Sequence, residues 1–331
     1  MESEFPVLIA DIGGTNARFG VVHEDGQLVP TSNFKNTDFP TLDAMMHQAI
    51  RSCGENEPVT AAMALACPIV GNTFRLTNFD GEIVPERILA GTGLKRMLVM
   101  NDFLAQAIAA ISFNNDDVQQ FGGKKRDPKA LHLIVGPGTG LGVAIVLPVS
   151  GKFAIVPGEG GHADIGPRTQ REFALWPYLE SNQGRIEAEQ VISGAGLKNL
   201  YSAIRKFAGK KANPTSSEEI TRNAMNGGDP ECLEAVELMT LLLARFSGDL
   251  AITTLPRGGI YFCGGLVKPL LPLLDSDVYR SEFSNKEPFR ELMNDFPLYS
   301  VMHPCSGLFG IARYLLSPGD FLLADNVIEF S

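Results

Sequence analysis

The dipeptide Asn101-Asp102 follows an apolar run at residues 97–100 and opens a segment with helical periodicity. The positive end of the helix dipole favours the ionised form of an aspartate in the first turn of a helix. An ionised carboxylate can accept a hydroxyl proton while the hydroxyl oxygen attacks an electrophile. Both residue types also cap helices commonly, so a purely structural role explains the same pattern. The pair is therefore a candidate general base, with helix capping as the alternative.

Residues 157–162, Pro-Gly-Glu-Gly-Gly-His, place a carboxylate and an imidazole on one tight loop. Glu159 accepts hydrogen bonds and His162 donates or accepts them, so the pair suits a ligand with neighbouring hydroxyl groups. A solvated loop pair fits equally well, and a metal site is disfavoured because no third ligand lies nearby in the sequence. Further along, the segment 185–192 is predicted to be helical. Its periodicity places Glu189 on a solvated face, and Glu187 is the clearest example of a residue expected there.

Three glycine-rich turns follow apolar strands, at residues 11–16, 136–142 and 264–265. Glycine allows backbone N–H groups to approach phosphate oxygens, and an aspartate at a strand end can hold Mg²⁺ through water. The turns lack the Gly-Lys-Ser/Thr of a P-loop, and the first leads into a strand, unlike a dinucleotide-binding fingerprint. Each turn alone is commonly an ordinary structural turn. Two of them in equivalent positions favour phosphate binding, and the third would let a flat group lie against the backbone.

The elements that hold these residues alternate between strands and helices. Residues 7–29 are typical of a three-stranded meander, and the same succession of strand, Gly/Thr turn and strand begins again at residue 131. This repetition indicates a duplicated domain. Apolar patterns predict further strands over 59–66, 97–100 and 258–263, and helices over 41–53, 102–111, 169–181, 185–192, 194–208, 217–226, 230–254 and 306–316. We therefore expect an α/β protein of two similar halves that face each other across a ligand-binding cleft.

Composition excludes several classes of protein. The 331 residues carry 28 basic and 38 acidic side chains, a net charge of −10, which disfavours nucleic-acid binding. No apolar run reaches the roughly 18 residues of a membrane span, and the acidic start lacks the basic region of a secretory signal. The five cysteines are widely spaced, without a CxxC pair, so we expect buried thiols in a reducing cytoplasm.

Several short motifs occur in one order along the chain: DIGGTN, ACP at 66–68, TN at 77–78, ND at 101–102, GPGTGLG, PGEGGH and SGAGL at 193–197. Each is weak alone, but the ordered set is specific. The sequence resembles bacterial glucokinases of the hexokinase and actin-like ATPase superfamily, from Val7 to about Tyr314. The resemblance implies a two-domain actin-like ATPase (ribonuclease H-like) fold with duplicated βββαβα-type units. It also implies ATP-dependent phosphorylation of glucose at its 6-hydroxyl, the entry step of glycolysis.

The resemblance assigns a role to each residue of a site. Asp102 matches the catalytic base and also contacts the sugar. The other sugar contacts match Asn78, Asn101, Glu159, His162 and Glu189. The nucleotide contacts match Ala10, Asp11, Ile12, Gly13, Gly14, Thr15, Asn16, Gly138, Thr139, Gly140, Gly264 and Gly265. Asp11 is expected to hold Mg²⁺ through water.

The resemblance also concerns the whole chain. It implies a small domain formed by residues 1–112 and 303–331, a large domain formed by residues 113–302, and a cytoplasmic homodimer. A related kinase group carries a cysteine-rich zinc motif after its EGxH histidine, but here His162 leads into Ala163-Asp164-Ile165, so we expect no structural zinc. Related sugar-responsive repressors carry an N-terminal DNA-binding domain, for which the position of the first glycine turn leaves no room.

Four alternatives remain open. The chain could phosphorylate another hexose, such as mannose, fructose or an N-acetylhexosamine, or could use ADP or polyphosphate as the donor. It could be a catalytically silent sugar sensor, against which Asp102 argues. It could also be an actin-like or chaperone ATPase, in which the combination of Glu159, His162 and Glu189 would have no purpose.

Overall fold

The computed structural model describes residues 5–54, 57–76, 82–211, 215–323 and 326–331. The strands within these ranges, in chain order, are β1 Val7–Ile12, β2 Asn16–Val22, β3 Leu28–Lys35, β4 Thr60–Leu65, β5 Arg96–Asn101, β6 Val118–Gly122, β7 His132–Pro137, β8 Leu141–Val149, β9 Lys152–Gly158, β10 Gly259–Phe262, β11 Leu298–Val301, β12 Phe321–Leu322 and β13 Val327–Phe330. The α-helices are α1 Leu42–Arg51, α2 Pro85–Thr92, α3 Asp102–Ser112, α4 Gln170–Leu175, α5 Gly194–Phe207, α6 Ser217–Met225, α7 Pro230–Thr254, α8 Val267–Leu274, α9 Asp277–Phe283, α10 Arg290–Asp295 and α11 Ser306–Leu316.

The strands form two sheets with matching strand orders. One sheet has the order β13-β5-β4-β1-β2-β3, and the other has the order β6-β11-β10-β7-β8-β9-β12. In each sheet a parallel trio, β1-β4-β5 or β7-β10-β11, is followed at one edge by an antiparallel strand, β13 or β6. The shared order confirms the predicted duplication and the α/β class.

Burial explains why the central strands are almost entirely apolar. All six residues of β1 and all six of β4 are buried, as expected for parallel strands covered on both faces. The core beneath one face of this sheet combines alternate residues of β1 and β4 with the apolar face of α1, which includes Met45, Met46 and Ala49. The sheet is therefore a rigid support for the loops that leave its strand ends.

The chain divides into two compact units. The first unit comprises residues 1–114, 144–157 and 303–331, and the second comprises residues 115–143 and 158–302. These units differ from the predicted domains chiefly at residues 144–157, most of β8 and β9, which pack with the first unit. The sequence does not predict that β8 and β9 pack with the first unit, because the apolar pattern of a strand is the same whichever unit it packs with. The domain boundaries stay a prediction.

Most predicted elements are confirmed within two residues, and two helices are wrong. The predicted helix over 169–181 ends at Leu175 and continues only as a 3₁₀ turn at Trp176–Tyr178, where Pro177 cannot donate a backbone hydrogen bond. The predicted helix over 185–192 is a single 3₁₀ turn at Ala188–Gln190.

Two expectations drawn from composition can be compared with the structure. All five cysteines are free thiols. Three are buried as expected, but Cys53 and Cys305 are only partly buried, which corrects the prediction for these two. In the ranges given above, no helix combines the length and the apolar character needed to cross a membrane.

Candidate active site

Three loops of the first unit leave the same edge of its sheet. The parallel register aligns Ile12 of β1 with Leu65 of β4, and Leu65 with Asn101 of β5. The glycine turn after β1, the Cys67-Pro68 segment after β4 and the start of α3 after β5 therefore lie side by side. The carboxyl edge of a parallel sheet is the usual place for a ligand site in α/β proteins.

Asn101 caps α3 and joins two of these loops. Its side-chain oxygen accepts from the backbone N–H of Phe103 at 2.9 Å and of Leu104 at 3.3 Å, and its Nδ2 donates to the carbonyl of Cys67 at 3.1 Å. The capping role considered as an alternative is thus confirmed for Asn101. Because the cap fixes where α3 begins, it also fixes the position of the next residue.

Asp102 is the first residue of α3, as the sequence predicts. Its Oδ1 accepts from the backbone N–H of Phe103 at 2.9 Å. The helix dipole favours the ionised form of a carboxylate in this position. An ionised carboxylate at a strand end, partly exposed to solvent, has the properties that a general base needs.

Asp11 lies at the end of β1, and 8% of its surface is exposed. Burial raises the pKa of its carboxyl, and Arg18, whose guanidinium lies 3.7 Å away, acts in the opposite direction. The following turn is closed by the backbone N–H of Gly13, which donates to the carbonyl of Asn16 at 3.0 Å. At the start of α11, a Cβ on Gly307 would lie 2.9 Å from Asp11 Oδ1, so only glycine allows this close approach.

The setting of Asp11 fits a magnesium ion that binds together with a phosphorylated ligand. A buried carboxylate with an incompletely balanced charge is stabilised by a cation, and Mg²⁺ typically uses one or two carboxylates plus phosphate oxygens and water. Within the described ranges, no group of three or more His, Cys, Asp or Glu side chains could hold a metal by itself. A metal at Asp11 would therefore depend on oxygens of the ligand.

Two glycine turns of the second unit contact each other. The parallel strands β7 and β10 are in register, with Val135 opposite Phe262. Gly138 closes its turn by donating its N–H to the carbonyl of Gly140 at 2.8 Å. Gly264 has a φ of +97°, and a Cβ there would lie 2.6 Å from the carbonyl oxygen of Pro137. This backbone conformation and this approach both require glycine, so the sequence signal at 264 has a structural cause.

Glu189 is attached to the first of these glycine turns. Its Oε2 accepts from the backbone N–H of Leu141 at 2.8 Å, directly after the turn. The first residue of α5, Gly194, also donates its N–H to the carbonyl of Gly138 at 2.8 Å. The segment that carries Glu189 is thus fixed to the turn at both ends.

His162 is surrounded by carboxylates in the same unit. Its Nδ1 lies 2.9 Å from Glu187 Oε2, and its Nε2 lies 3.9 Å from Glu159 Oε2. The hydrogen bond to Glu187 raises the pKa of the imidazole, and the negative charges of Glu189 and Glu159 act in the same direction. The glycines of this loop allow close packing, since a Cβ on Gly161 would collide with the carbonyl oxygen of Leu141.

Glu187 is a buried residue beside His162 whose place the sequence pattern did not predict. It was expected on a solvated helix face, but it is 5% exposed and bonded to His162. The reason is the missing helix: a single 3₁₀ turn points Glu187 inward and anchors its backbone N–H on Gln190 Oε1 at 3.0 Å. The spacing Glu-x-x-Gln is typical of a capping box, and this pattern could have indicated that a turn begins at Glu187.

The structure gathers the predicted residues into two groups, one in each unit. The first contains residues 10–16, Asn101 and Asp102, and the second contains residues 138–140, Glu159, His162, Glu189, Gly264 and Gly265. Asn78 lies outside the described residues. The roles of these residues towards ligands stay predictions.

Solved structures with a similar fold include glucokinases. A glucokinase from an Antarctic psychrotroph has a TM-score of 0.75 and 27% identity, over 94% of this chain and 98% of that one. A ROK family glucokinase from Streptomyces griseus, solved with glucose and AMPPNP, has a TM-score of 0.63 over 93% of this chain and 98% of that one. At 19% identity this second similarity concerns the fold alone. The protein has the two-domain actin-like ATPase fold of these kinases.

Sequence comparison narrows this class to a family. The family model for glucokinases matches residues 8–318. The glucokinase of Rhizobium meliloti (strain 1021) is 40% identical over 324 residues, which are 97% of this chain and 95% of that protein. The chain belongs to the glucokinase family.

Proposed function

We propose that this protein transfers the γ-phosphoryl group of ATP to the 6-hydroxyl of D-glucose, with Asp102 as the general base. Membership of the glucokinase family supports the reaction. The observation that carries the choice of base is the position of Asp102 at the first turn of α3, on the same sheet edge as the Asp11 turn. At the start of a helix the dipole favours the ionised carboxylate, and the shared sheet edge places Asp102 near the glycine turn after β1.

The sugar is held by the side chains that present carboxylate, imidazole and amide groups. The residues assigned to the sugar are Glu159, His162, Glu189, Asn101 and Asp102. Carboxylates accept from sugar hydroxyls, and His162 can donate or accept. Asn78 is assigned a sugar contact by the family resemblance alone.

The phosphates of ATP lie against the two glycine turns, at residues 11–16 and 138–140, and the adenosine lies against Gly264-Gly265. Backbone N–H groups supply hydrogen-bond donors there without adding side-chain charge. An acidic protein can thereby bind an anionic nucleotide. Asp11 would hold Mg²⁺, which when bound balances charge on the phosphate oxygens.

The transfer step proceeds in line. The 6-hydroxyl oxygen of glucose attacks the γ-phosphorus as its proton passes to the Asp102 carboxylate. The bond between the γ-phosphorus and the β–γ bridging oxygen breaks, and ADP departs with the electron pair. Asp102 then releases its proton to solvent. A general base of this kind contributes about 10²–10⁴-fold to the rate.

Three further properties belong to this proposal. The protein acts in the cytoplasm, which fits five widely spaced cysteines without a CxxC pair. It functions as a homodimer. It contains no structural zinc, because no cysteine cluster follows His162 in the sequence.

A substrate panel tests the proposed reaction against its nearest alternatives. We would measure ADP formation with glucose, mannose, fructose and N-acetylglucosamine, and then glucose 6-phosphate formation with ATP, ADP and polyphosphate. The proposal expects the highest kcat/KM for glucose with ATP. A higher value for another sugar or donor would contradict it, and no turnover with any pair would favour a silent sugar sensor.

A further inference from the structure

The carboxylate of Glu187 is held in one orientation by several partners. Its Oε2 contacts His162 Nδ1 at 2.9 Å, and its Oε1 accepts from Asn182 Nδ2 at 3.2 Å and lies 3.3 Å from the guanidinium of Arg185. Its backbone N–H is bound by Gln190. These contacts come entirely from the protein, so the carboxylate is oriented before any ligand binds.

The two partners differ sharply in exposure. Only 6% of the Glu187 side chain is exposed, whereas 52% of the His162 side chain is exposed. Glu187 is therefore too deeply buried to be a direct ligand contact, while the ring beside it is accessible. One ring nitrogen, Nδ1, is bonded to Glu187. The other, Nε2, lies 3.9 Å from a carboxylate oxygen of Glu159, whose side chain is 60% exposed.

We infer that Glu187 is a positioning residue for sugar binding: it fixes the His162 ring and its Nδ1 proton, so that Nε2 is the nitrogen presented to the substrate. The inference rests on the proposed function, in which His162 contacts the sugar. A neutral imidazole has one donor nitrogen and one acceptor nitrogen, and the hydrogen bond at one of them decides the role of the other. Because an ionised carboxylate can only accept a hydrogen bond, Glu187 keeps the proton of the neutral ring on Nδ1.

The surrounding charges reinforce the pairing. The charged groups facing the His162 imidazole are Glu187, Glu189 and Glu159, and Arg185 donates to the His162 carbonyl oxygen at 2.9 Å while also contacting Glu187. The hydrogen bond to Glu187 is the largest cause of the raised pKa of His162, and the same bond lowers the pKa of the Glu187 carboxyl. Removing the charge of Glu187 should thus make His162 lose its proton at a lower pH.

Nitrogen-15 NMR of the imidazole rings tests the pairing without any enzymatic reaction. The chain has five histidines, and a His162→Gln variant identifies the signal of His162. In the wild type we expect the neutral ring to carry its proton on Nδ1. In Glu187→Gln, where the amide oxygen still accepts from Nδ1–H, the proton should stay on Nδ1 while the pKa of His162 falls, because the negative charge beside the ring is gone. Glu187→Ala should in addition lose the preference for Nδ1.

A matched control removes a carboxylate from the same stretch of chain. Glu180 is exposed and lies seven positions before Glu187. Glu180→Gln should leave the His162 titration and the glucose KM at their wild-type values. Far-ultraviolet circular dichroism of each variant verifies that the fold is retained, and the nearly isosteric Glu187→Gln keeps the test valid if Glu187→Ala does not fold.

Steady-state kinetics then separates positioning from general structural support. We expect the KM for glucose to rise about 10-fold in Glu187→Ala and less in Glu187→Gln, with kcat changed by less than about threefold in both. The pH midpoint of kcat/KM for glucose should move down in Glu187→Gln by the same amount as the His162 pKa measured by NMR.

The results that overturn the inference are distinct from those that overturn the proposed function. A neutral His162 protonated on Nε2 in the wild type, or a His162 pKa unchanged in Glu187→Gln, would refute the pairing even if the enzyme phosphorylates glucose. Absence of glucose phosphorylation by the wild type would refute the proposed function, and the NMR comparison alone would then decide the role of Glu187.

Discussion

Glu159 is assigned to the sugar in the proposed function, and 60% of its side chain is exposed. We expect Glu159→Gln to raise the KM for glucose about 10-fold or more, because a charged acceptor of sugar hydroxyls is replaced by a weaker one. The kcat should change much less, since Glu159 takes no part in the proton transfer. Initial rates over a range of glucose concentrations measure both constants, and an unchanged KM would remove Glu159 from the sugar site.

The His162–Glu187 pair predicts a pH dependence of stability. Because the pKa of His162 is raised in the folded protein, the imidazole adds to the free energy of unfolding. This contribution is complete below the unfolded-state pKa of about 6.5 and is lost as the pH rises through the folded-state pKa. Because the pKa of Glu187 is lowered in the folded protein, its carboxylate also adds to the free energy of unfolding. This contribution is present above the unfolded-state pKa of about 4.3 and is lost as the pH falls through the folded-state pKa. The Tm difference between wild type and Glu187→Gln should therefore be largest near about pH 5–6.

Thermal unfolding followed at several pH values measures this difference. The same experiment with Glu180→Gln provides the baseline, because Glu180 is exposed. A Tm difference between wild type and Glu187→Gln that is as large at about pH 9 as at about pH 5.5 would contradict the charged pair.

The sequence predicts the position of a residue when the neighbouring residues determine it. It does not predict the position when contacts with residues far away in the chain determine it. The start of α3 at Asp102 was predicted correctly because an apolar strand and a helical period lie directly on either side of it. Glu187 was misplaced because its burial depends on His162, 25 positions earlier. No periodicity within a short segment encodes such a partner. The assignment of Asn78 remains a matter of resemblance.

Helices α3 and α11 pack closely because α11 contains glycine at the contact. A Cβ on Gly310 would lie 2.7 Å from the carbonyl carbon of Ala105 and would collide with the carbonyl oxygen of the same residue. Gly310→Ala gains about 1 kcal/mol in helix propensity, but the rigid backbone of α3 cannot move aside. We expect a net loss of about 1–3 kcal/mol in the free energy of unfolding. The kcat should also fall, because α3 carries Asp102.

Urea denaturation and the kinase assay measure the two effects. Gly319→Ala is the matched control, since a Cβ there meets no described atom within 4 Å and the φ angle of Gly319 is not in the left-handed region. If Gly310→Ala and Gly319→Ala had equal stabilities, the close packing of α3 on α11 would not be a constraint on the site.

Elements with clear apolar periods were predicted nearly residue by residue, and α11 over 306–316 is an example. The sequence could not show that the helix near 169–181 breaks at Pro177, because a proline is tolerated in the first turn of a helix as well as at its end. The sequence also does not indicate with which of the two units β8 and β9 pack. That choice depends on contacts such as the pairing of Phe153 with Phe321, which are far apart in the chain.

The assembly state is a property of the whole molecule that the family resemblance predicts. We expect light scattering coupled to size-exclusion chromatography to give twice the chain mass of 35.8 kDa. Because an acidic chain of net charge −10 is prone to ionic interaction with column matrices, the run should contain at least about 0.15 M salt. A mass equal to one chain at micromolar concentration would contradict the dimer.

The most direct test of the proposed mechanism compares wild type with Asp102→Asn in a coupled assay for glucose 6-phosphate with MgATP. The variant keeps the size of the side chain and removes its basicity, so kcat should fall by at least about 10²-fold. Glucose binding, measured by isothermal titration calorimetry, should be retained within a few-fold. If Asp102→Asn turned over glucose at nearly the wild-type rate, Asp102 would not be the general base.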